Sequence, residues 1–323
     1  MVTPSPAQLS GWLEQKLATA RGLPVRRIHA VGGGCIHAAW RLELADGGSL
    51  FAKTNGRAAL PILEAEAAGL RALNAAAAAA AMDAPAADLT IPAPLAVGML
   101  GDHALLVLPC LELSGRAGSG EDWRRLGAAL ARLHRASRPL NRGRGFGFEV
   151  DNFIGAGPQP NGWLAGWGAF FRERRLGPQL ERLRRRGMAM EGSAALLDQL
   201  PTWLDGHGAD PVLVHGDLWS GNAGLLRAGG GAIFDPAVHW GDREVDLAMA
   251  RLFGGFPRDF FSGYVREWPL PPAADGRVEV YNLYHLLNHA NLFDAGPCGS
   301  YAQRAQASIL NLLKRRRGVG ASG

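Results

Sequence analysis

The segment PVLVHGDLWSGNAGLLRAGGGAIFDPAVHWGDREVDLAM, Pro211–Met249, decides how the chain is read. It holds His215, Asp217, Asn222, Asp235, Asp242, Glu244 and Asp246. Two of the carboxylates stand at the ends of strongly apolar runs: Asp217 comes after VLV and Asp235 after AIF, with the glycine-rich hairpin RAGGG between them. Short apolar runs bounded by turn residues read as buried strands. Asn222 follows Asp217 by five residues. Phosphoryl transfer from ATP needs this inventory: a carboxylate that orients the attacking hydroxyl, an Asn and an Asp that hold magnesium against the phosphates, and an upstream lysine that neutralises phosphate charge. Hard oxygen ligands suit Mg²⁺. The segment offers Asp217, Asn222 and Asp235 to that inventory.

Lys53, at the end of the apolar run SLFAK, supplies the upstream lysine. A buried ammonium needs a partner. Glu66, 13 residues on in a helical segment, is one candidate, and Glu64 is its rival. Two residues along a helix change face, so at most one of them points inward. The turn VGGGCIH, Val31–His37, brings Gly32, Gly33 and Gly34 where backbone amides can approach phosphate oxygens. It is neither a Walker A loop nor a dinucleotide fingerprint, since no Gly-Lys-Ser/Thr follows and no helix opens after it.

Working outward, residues 8–20 read as an amphipathic helix, AAWRLEL and SLFAK as a hairpin across ADGG, and 57–81 as a long helix. TIPAPLAVGML and HALLVLPCLEL resume strand character. A flexible link at Ser114–Gly120 puts a boundary near it, giving residues 1–111 as a nucleotide-binding lobe and 112–323 as a catalytic and acceptor-binding lobe. The second lobe opens on the helix EDWRRLGAALARLHRAS and a long Gly-, Pro- and Asn-rich loop, and is then mostly helical apart from the opening segment. His134 reads as a satisfied helix histidine, and KRRRG at Lys314–Gly318 as a solvated tail. The expected class is α+β: a two-lobed arrangement with an antiparallel N-terminal sheet.

Composition bounds the rest. A formal charge of +5, from 34 Lys and Arg against 29 Asp and Glu, is mild, and the basic runs are scattered, which argues against nucleic acid. Three cysteines, Cys35, Cys110 and Cys298, make neither a disulfide framework nor a thiolate zinc site. No apolar run reaches membrane-spanning length and the first residues lack a signal-peptide pattern, so a reducing cytoplasm and a monomer or weak dimer are expected.

VHGDLWSGN with FDPAVHWGDREVDLAMARLFGGFP, together with GGGCI, FAKTN, EAEAAGLRAL, PQPNGW and YNLYHLLNHANLF in order, resembles the fructosamine kinase and ketosamine-3-kinase family. That family belongs to the aminoglycoside and choline kinase branch of the protein-kinase-like fold. The resemblance covers nearly the whole chain. It implies ATP and Mg²⁺ as cofactors and a ketosamine, free or on a protein lysine, as acceptor. Phosphate on the sugar 3-hydroxyl then leads to release of the amine. It also implies that Asp217 is the catalytic residue, that Asn222 and Asp235 are the metal and nucleotide ligands, that Lys53 contacts the phosphates with Glu66 as its partner, that Gly32–Gly34 form the nucleotide loop, and that Asp246 caps the catalytic-loop backbone. His215 is expected to support that loop through hydrogen bonds. Two departures stand out: His37 where the family has Asn, and Pro109 at the hinge where Glu is common. A proline there cannot donate a backbone hydrogen bond, so adenine contacts are expected on Leu108 and Cys110.

The acceptor end is open to several readings. Trp219 and Trp240 could offer both an apolar face and a cation partner to an amino sugar. Asp242 and Glu244 either line that site or pair locally with Arg243. Gln159 and Asn161 lie in a loop whose composition suits a cover over the acceptor. Cys35, among loop amides, is either redox-sensitive or a plain turn residue. Another small-molecule kinase of the same fold, acting on an aminoglycoside or a choline-like amine, is the alternative enzyme. A non-catalytic nucleotide-binding protein would be expected to lack Lys53, Asp217, Asn222 or Asp235, and none is missing.

Overall fold

A computed structural model of the chain describes residues 4–17, 24–32, 36–81, 88–114, 118–296 and 299–320. Gly33, Gly34, Cys35 and Cys298, and residues 115–117 of the expected link, lie outside the described residues. Helix α1 (Pro6–Lys16) begins at Ser5, whose hydroxyl accepts from the Gln8 N–H while the Gln8 side chain accepts from the Ser5 N–H. Strands β1 (Val25–Val31), β2 (Ala38–Leu44) and β3 (Ser49–Gly56) follow. Then come helix α2 (Leu60–Ala80), the short β4 (Leu89–Thr90), β5 (Ala96–Leu100) and β6 (His103–Pro109). Five of these strands form one antiparallel sheet in the order β1-β2-β3-β6-β5.

The sequence of β6, HALLVLP, is apolar without alternation because both faces are covered. Leu105 and Val107 pack in the cluster that holds Leu9, Trp12 and Leu13 of α1. Ala104, Leu106 and Leu108 pack in the cluster that holds Leu63 and Leu70 of α2. That second cluster runs on into the other lobe through Leu126, Leu213 and Trp240, so α2 is the element both lobes share.

The C-terminal lobe contains α3 (Gly120–Ser137), the ribbon β7 (Asn152–Ile154) and β8 (Gly157–Gln159), α4 (Trp167–Phe170) leading through a π-helical turn into α5 (Gly177–Arg185), and α6 (Ser193–Asp205). The opening segment becomes β9 (Val212–Val214), the hairpin β10 (Ala223–Leu225) and β11 (Gly231–Ile233), β12 (His239–Gly241) and α7 (Glu244–Leu252). Helices α8 (Arg258–Glu267), α9 (Ala274–Phe293) and α10 (Ser300–Gly320) complete it. TIPAPLAVGML has its strand character in two pieces: Leu89 and Thr90 pair in parallel with Gly231 and Ala232 of the β10–β11 hairpin, and Ala96–Leu100 joins the N-terminal sheet. The prolines at 92 and 94 remove the donors that a continuous strand would need. Lys314–Gly318, expected as a solvated tail, continues helix α10; Lys314 and Arg315 are exposed there, and Arg315 pairs with Glu279.

Helices α3 and α8 cross at backbone contact, and two glycines allow it. A Cβ on Gly127 would lie 1.9 Å from the Phe260 carbonyl oxygen, and one on Gly263 would lie 2.1 Å from that of Arg124. Both clashes are with backbone, which cannot rotate away. Gly127→Ala or Gly263→Ala is therefore expected to lower stability by about 2–3 kcal/mol, read as a reduced denaturation midpoint at unchanged slope. An unchanged midpoint would show that the two helices separate freely.

Candidate active site

Strand β9 is buried on both sides and ends at Val214, with His215 next in the chain. Gly216 then turns the chain at φ +81, and a Cβ there would meet the Ala237 carbonyl oxygen at 2.1 Å. The turn is held from beneath by Asp246, fully buried in the first turn of α7. Its Oδ2 accepts from the His215 N–H at 2.7 Å and its Oδ1 from the Gly216 N–H at 2.8 Å. His134 Nε2 lies 3.2 Å from Asp246 Oδ2, and His134 Nδ1 lies 2.9 Å from the Tyr264 hydroxyl. The expected cap is thus present, and His134 is part of it. The apolar face of α3, with Leu126, Leu130 and Leu133 buried, carries that histidine inward, which was the available sequence signal.

His215 has no nitrogen to spare. Its Nε2 is 2.9 Å from the Phe234 carbonyl, which can only accept, so Nε2 carries the hydrogen; Nδ1 then accepts from the Asp217 N–H at 3.3 Å. Burial pushes its pKa down, against the pull of Asp246. A neutral, fully engaged imidazole fixes the loop and is no base.

Asp217 lines the cavity between the lobes, open to it on one side and walled by protein elsewhere. Burial, and then the neighbouring Asp235 carboxylate, raise its pKa to about 7, while the Asn222 amide pulls it down. Asn222 Nδ2 donates to the Asp217 carbonyl at 2.9 Å and to Asp217 Oδ2 at 3.2 Å. Its own amide oxygen has no partner among the described residues, and it lines the same cavity. The backbone ties the pair to the hairpin: Asn222 N–H donates to Trp219 O, and Phe234 N–H to Asn222 O.

Asp235 sits in the left-handed region at φ +57, a conformation Asp tolerates better than most residues. Its carboxylate meets Lys53 Nζ. Lys53 also reaches both Glu66 oxygens, at 2.9 and 3.0 Å. Glu66 faces inward on α2 and Glu64 outward, which resolves the alternative left open by sequence. Burial alone would lower the Lys53 pKa, but Glu66 and Asp235 outweigh it and hold the ammonium above its ordinary value.

These groups share a cavity of about 530 Å³. Gly32, Ala39 and Phe51 roof it, and Leu108, Pro109 and Leu111 form its hinge wall. The Cys110 expectation is corrected: Leu111 lines the wall and Cys110 does not, because β6 ends at Pro109 and the chain turns its neighbours inward. Gly32 lines the cavity, and Gly33 and Gly34 lie outside the described residues. Trp219 stands at the mouth, 38% exposed.

The other acceptor expectations do not hold. Trp240 is 4% exposed and packs with Leu213 and the α2 cluster, because β12 pairs with β9 and points it away from the cavity. Asp242 accepts from the Tyr281 hydroxyl at 2.6 Å and lies 2.7 Å from His207 Nε2. Glu244 takes a two-bond ion pair from Arg277 at 2.8 and 2.7 Å rather than from Arg243. His207, Asp242 and Glu244 bring ligand-type atoms within 4.8 Å of one another, but the Tyr281 and Arg277 bonds already satisfy the carboxylates, so the cluster reads as a structural network. Gln159 and Asn161 are fully buried. Gln159 donates to Asn152 Oδ1 and the Ala237 carbonyl and accepts from Tyr284; Asn161 donates to Asn152 Oδ1 and accepts from Arg175. Asn152, missed by sequence reasoning, lines the cavity and donates to the Val238 carbonyl at 2.8 Å. This polar layer holds the chain just beyond Asp235 in place.

Residues 9–315 match the fructosamine kinase family. A protein named "Probable ketoamine kinase" from Synechocystis sp. is 40% identical over 315 residues, covering 97% of this chain and 98% of that one. The chloroplastic protein-ribulosamine 3-kinase of Oryza sativa subsp. indica is 34% identical over 302 residues, 92% of this chain and 82% of that one. A crystal structure from Haemophilus somnus 129PT, named provisionally as a fructosamine-3-kinase, superposes with a TM-score of 0.81 at 25% identity, over 94% of this chain and 96% of that one. The chain belongs to the fructosamine kinase family.

Proposed function

We propose that this protein is an ATP-dependent ketosamine 3-kinase that phosphorylates the sugar 3-hydroxyl and so leads to deglycation. The observation that carries the reading is the meeting of Asp217, Asn222, Asp235, Lys53 and Glu66 around one cavity. In the proposed reaction Asp217 accepts the hydroxyl proton while the sugar oxygen attacks the γ-phosphorus, and the bond to the bridging oxygen breaks to leave ADP. Lys53, held by Glu66, faces the phosphate chain. Asn222 and Asp235 would hold Mg²⁺, which supplies charge neutralisation across the phosphates when bound. The free amide oxygen of Asn222 and the cavity-facing carboxylate of Asp235 are donors of the right hardness. On this reading residues 1–111 carry the nucleotide and 112–323 the catalytic loop and acceptor.

The acceptor is a ketosamine, free or on a protein lysine, with Trp219 at the mouth as the retained contact. The names of its relatives include both a protein-ribulosamine 3-kinase and fructosamine kinases, so a ribulosamine or a fructosamine fits the reading. A cytoplasmic location and a monomer or weak dimer are part of the same proposal; none of the described helices is long and apolar enough to cross a membrane.

Two measurements test the reading. Asp217→Asn should lower turnover about 10²–10⁴-fold with ATP affinity largely kept. The same change should raise stability at pH 8. A carboxyl whose pKa is raised from 3.8 to about 7 in the folded state holds a proton that the unfolded chain releases. The stability it contributes is present below the unfolded value and lost as pH rises toward 7. A variant less stable than the parent at pH 8, or one that loses ATP binding as fully as turnover, would contradict the assignment. The second measurement offers ribulosyl-lysine, fructosyl-lysine, an aminoglycoside and choline as acceptors and identifies products by mass spectrometry. Phosphate on the ketosamine 3-hydroxyl followed by free amine is expected. Turnover of the aminoglycoside or choline alone would replace this reading with the alternative enzyme.

A further inference from the structure

His37 lines the cavity, yet none of the catalytic groups bonds to it. It and Ala39 alternate along the entry to β2 and so present one face to the cavity. Asn55 of β3 lies beside it, and two backbone groups fix the orientation of the Asn55 amide. Its Nδ2 donates to the Ile36 carbonyl at 2.9 Å, and its Oδ1 accepts from the Gly56 N–H at 2.8 Å. Turning the amide over would set oxygen against carbonyl and NH₂ against N–H. The atom 3.0 Å from His37 Nδ1 is therefore Nδ2. An amide nitrogen only donates, so Nδ1 accepts, and the neutral ring carries its hydrogen on Nε2. No hydrogen bond from the described residues engages that hydrogen.

The position along β3 says what it faces. Phe51 is the register partner of Leu108 in the hinge wall, Lys53 stands two residues on, and Asn55, which touches His37, stands two further. Successive same-face positions advance along the strand by about 6–7 Å, so His37 lies beyond Lys53 as seen from the hinge. A nucleotide with its base at the hinge and its phosphates at Lys53 reaches His37 with the far end of the phosphate chain.

We propose that His37 is a phosphate-binding residue whose Nε2–H donates to the terminal part of the nucleotide's phosphate chain. Burial, reinforced by Lys53 and opposed by Asp235, holds its pKa down to about 4, so near neutral pH it acts as an oriented neutral donor. The inference rests on the reading of the cavity as a nucleotide site.

Calorimetric titration of the full chain with AMP-PNP in Mg²⁺, and separately with adenosine, tests it. His37→Phe keeps a ring and removes the donor; His37→Asn keeps a donor. His37→Phe should weaken AMP-PNP binding about ten- to hundred-fold, the range of a hydrogen bond to a charged group, and leave adenosine binding as in the parent. His37→Asn should recover part of the loss. Parent-like AMP-PNP affinity in His37→Phe would overturn the proposal and leave His37 as a partner of Asn55. So would an equal loss for adenosine, which would mark a structural effect. A parent protein that binds neither ligand would overturn the nucleotide reading itself.

Discussion

The site depends on one ammonium buried between two carboxylates. Lys53 comes from the N-terminal sheet, Glu66 from α2 and Asp235 from the end of β11, and no local structure brings them together. A buried ammonium without partners would be driven to its neutral form. Two carboxylates facing each other without the ammonium would be driven to take up protons. Each lobe therefore completes the other's electrostatics. The apolar side of the same junction is α2, whose Leu63 and Leu70 pack in a cluster with Leu106 of the sheet and Leu213 and Trp240 of the catalytic strands.

Around that junction the cavity-lining groups and the turn beneath them are fixed by backbone-directed bonds. Asp246 occupies the two N–H groups at the catalytic turn, His215 spends both ring nitrogens on Phe234 and Asp217, and Asn222 is bonded to Asp217. On the far side the Asn152–Gln159–Tyr284 layer bonds the carbonyls of Ala237 and Val238. Asp217 is thus held in position with a raised pKa, which suits the role of base proposed for it near neutral pH. The stability of the folded state at high pH is lowered by the same burial.

Much of this was legible in the sequence where residue type and local pattern act together. Apolar runs ending in Asp217 and Asp235, with Asn222 between, identified the strands and the chemistry. The lysine on SLFAK required a partner, though sequence alone left Glu64 beside Glu66, since choosing between them needs the helix phase relative to the sheet. What was not legible is which way a polar residue near the site points. Asp242, Glu244, Gln159, Asn161 and Trp240 look like ligands in sequence, but all are buried and, Trp240 excepted, their partners lie on other elements: Tyr281, Arg277, Tyr284, Asn152 and Arg175. Those pairings are set by how α9 and the π-turned α4–α5 segment pack, which no local pattern encodes. His134 was read as a satisfied helix histidine and is one, buried with both ring nitrogens engaged, but only the placing of Asp246 shows that it supports the turn. The glycines that let α3 and α8 touch gave no signal, because close helix crossing depends on the partner.

The central claim is that Lys53 and Glu66 act as one unit, and a double-mutant cycle on unfolding free energy measures that directly. The variants are Lys53→Met, Glu66→Leu and both together, at pH 7 and at low and high salt. The account predicts a coupling of about 2 kcal/mol or more, little affected by salt because the pair is buried, with the double variant more stable than either single one. Additive effects, or a coupling that disappears in salt, would show two independent residues and contradict it.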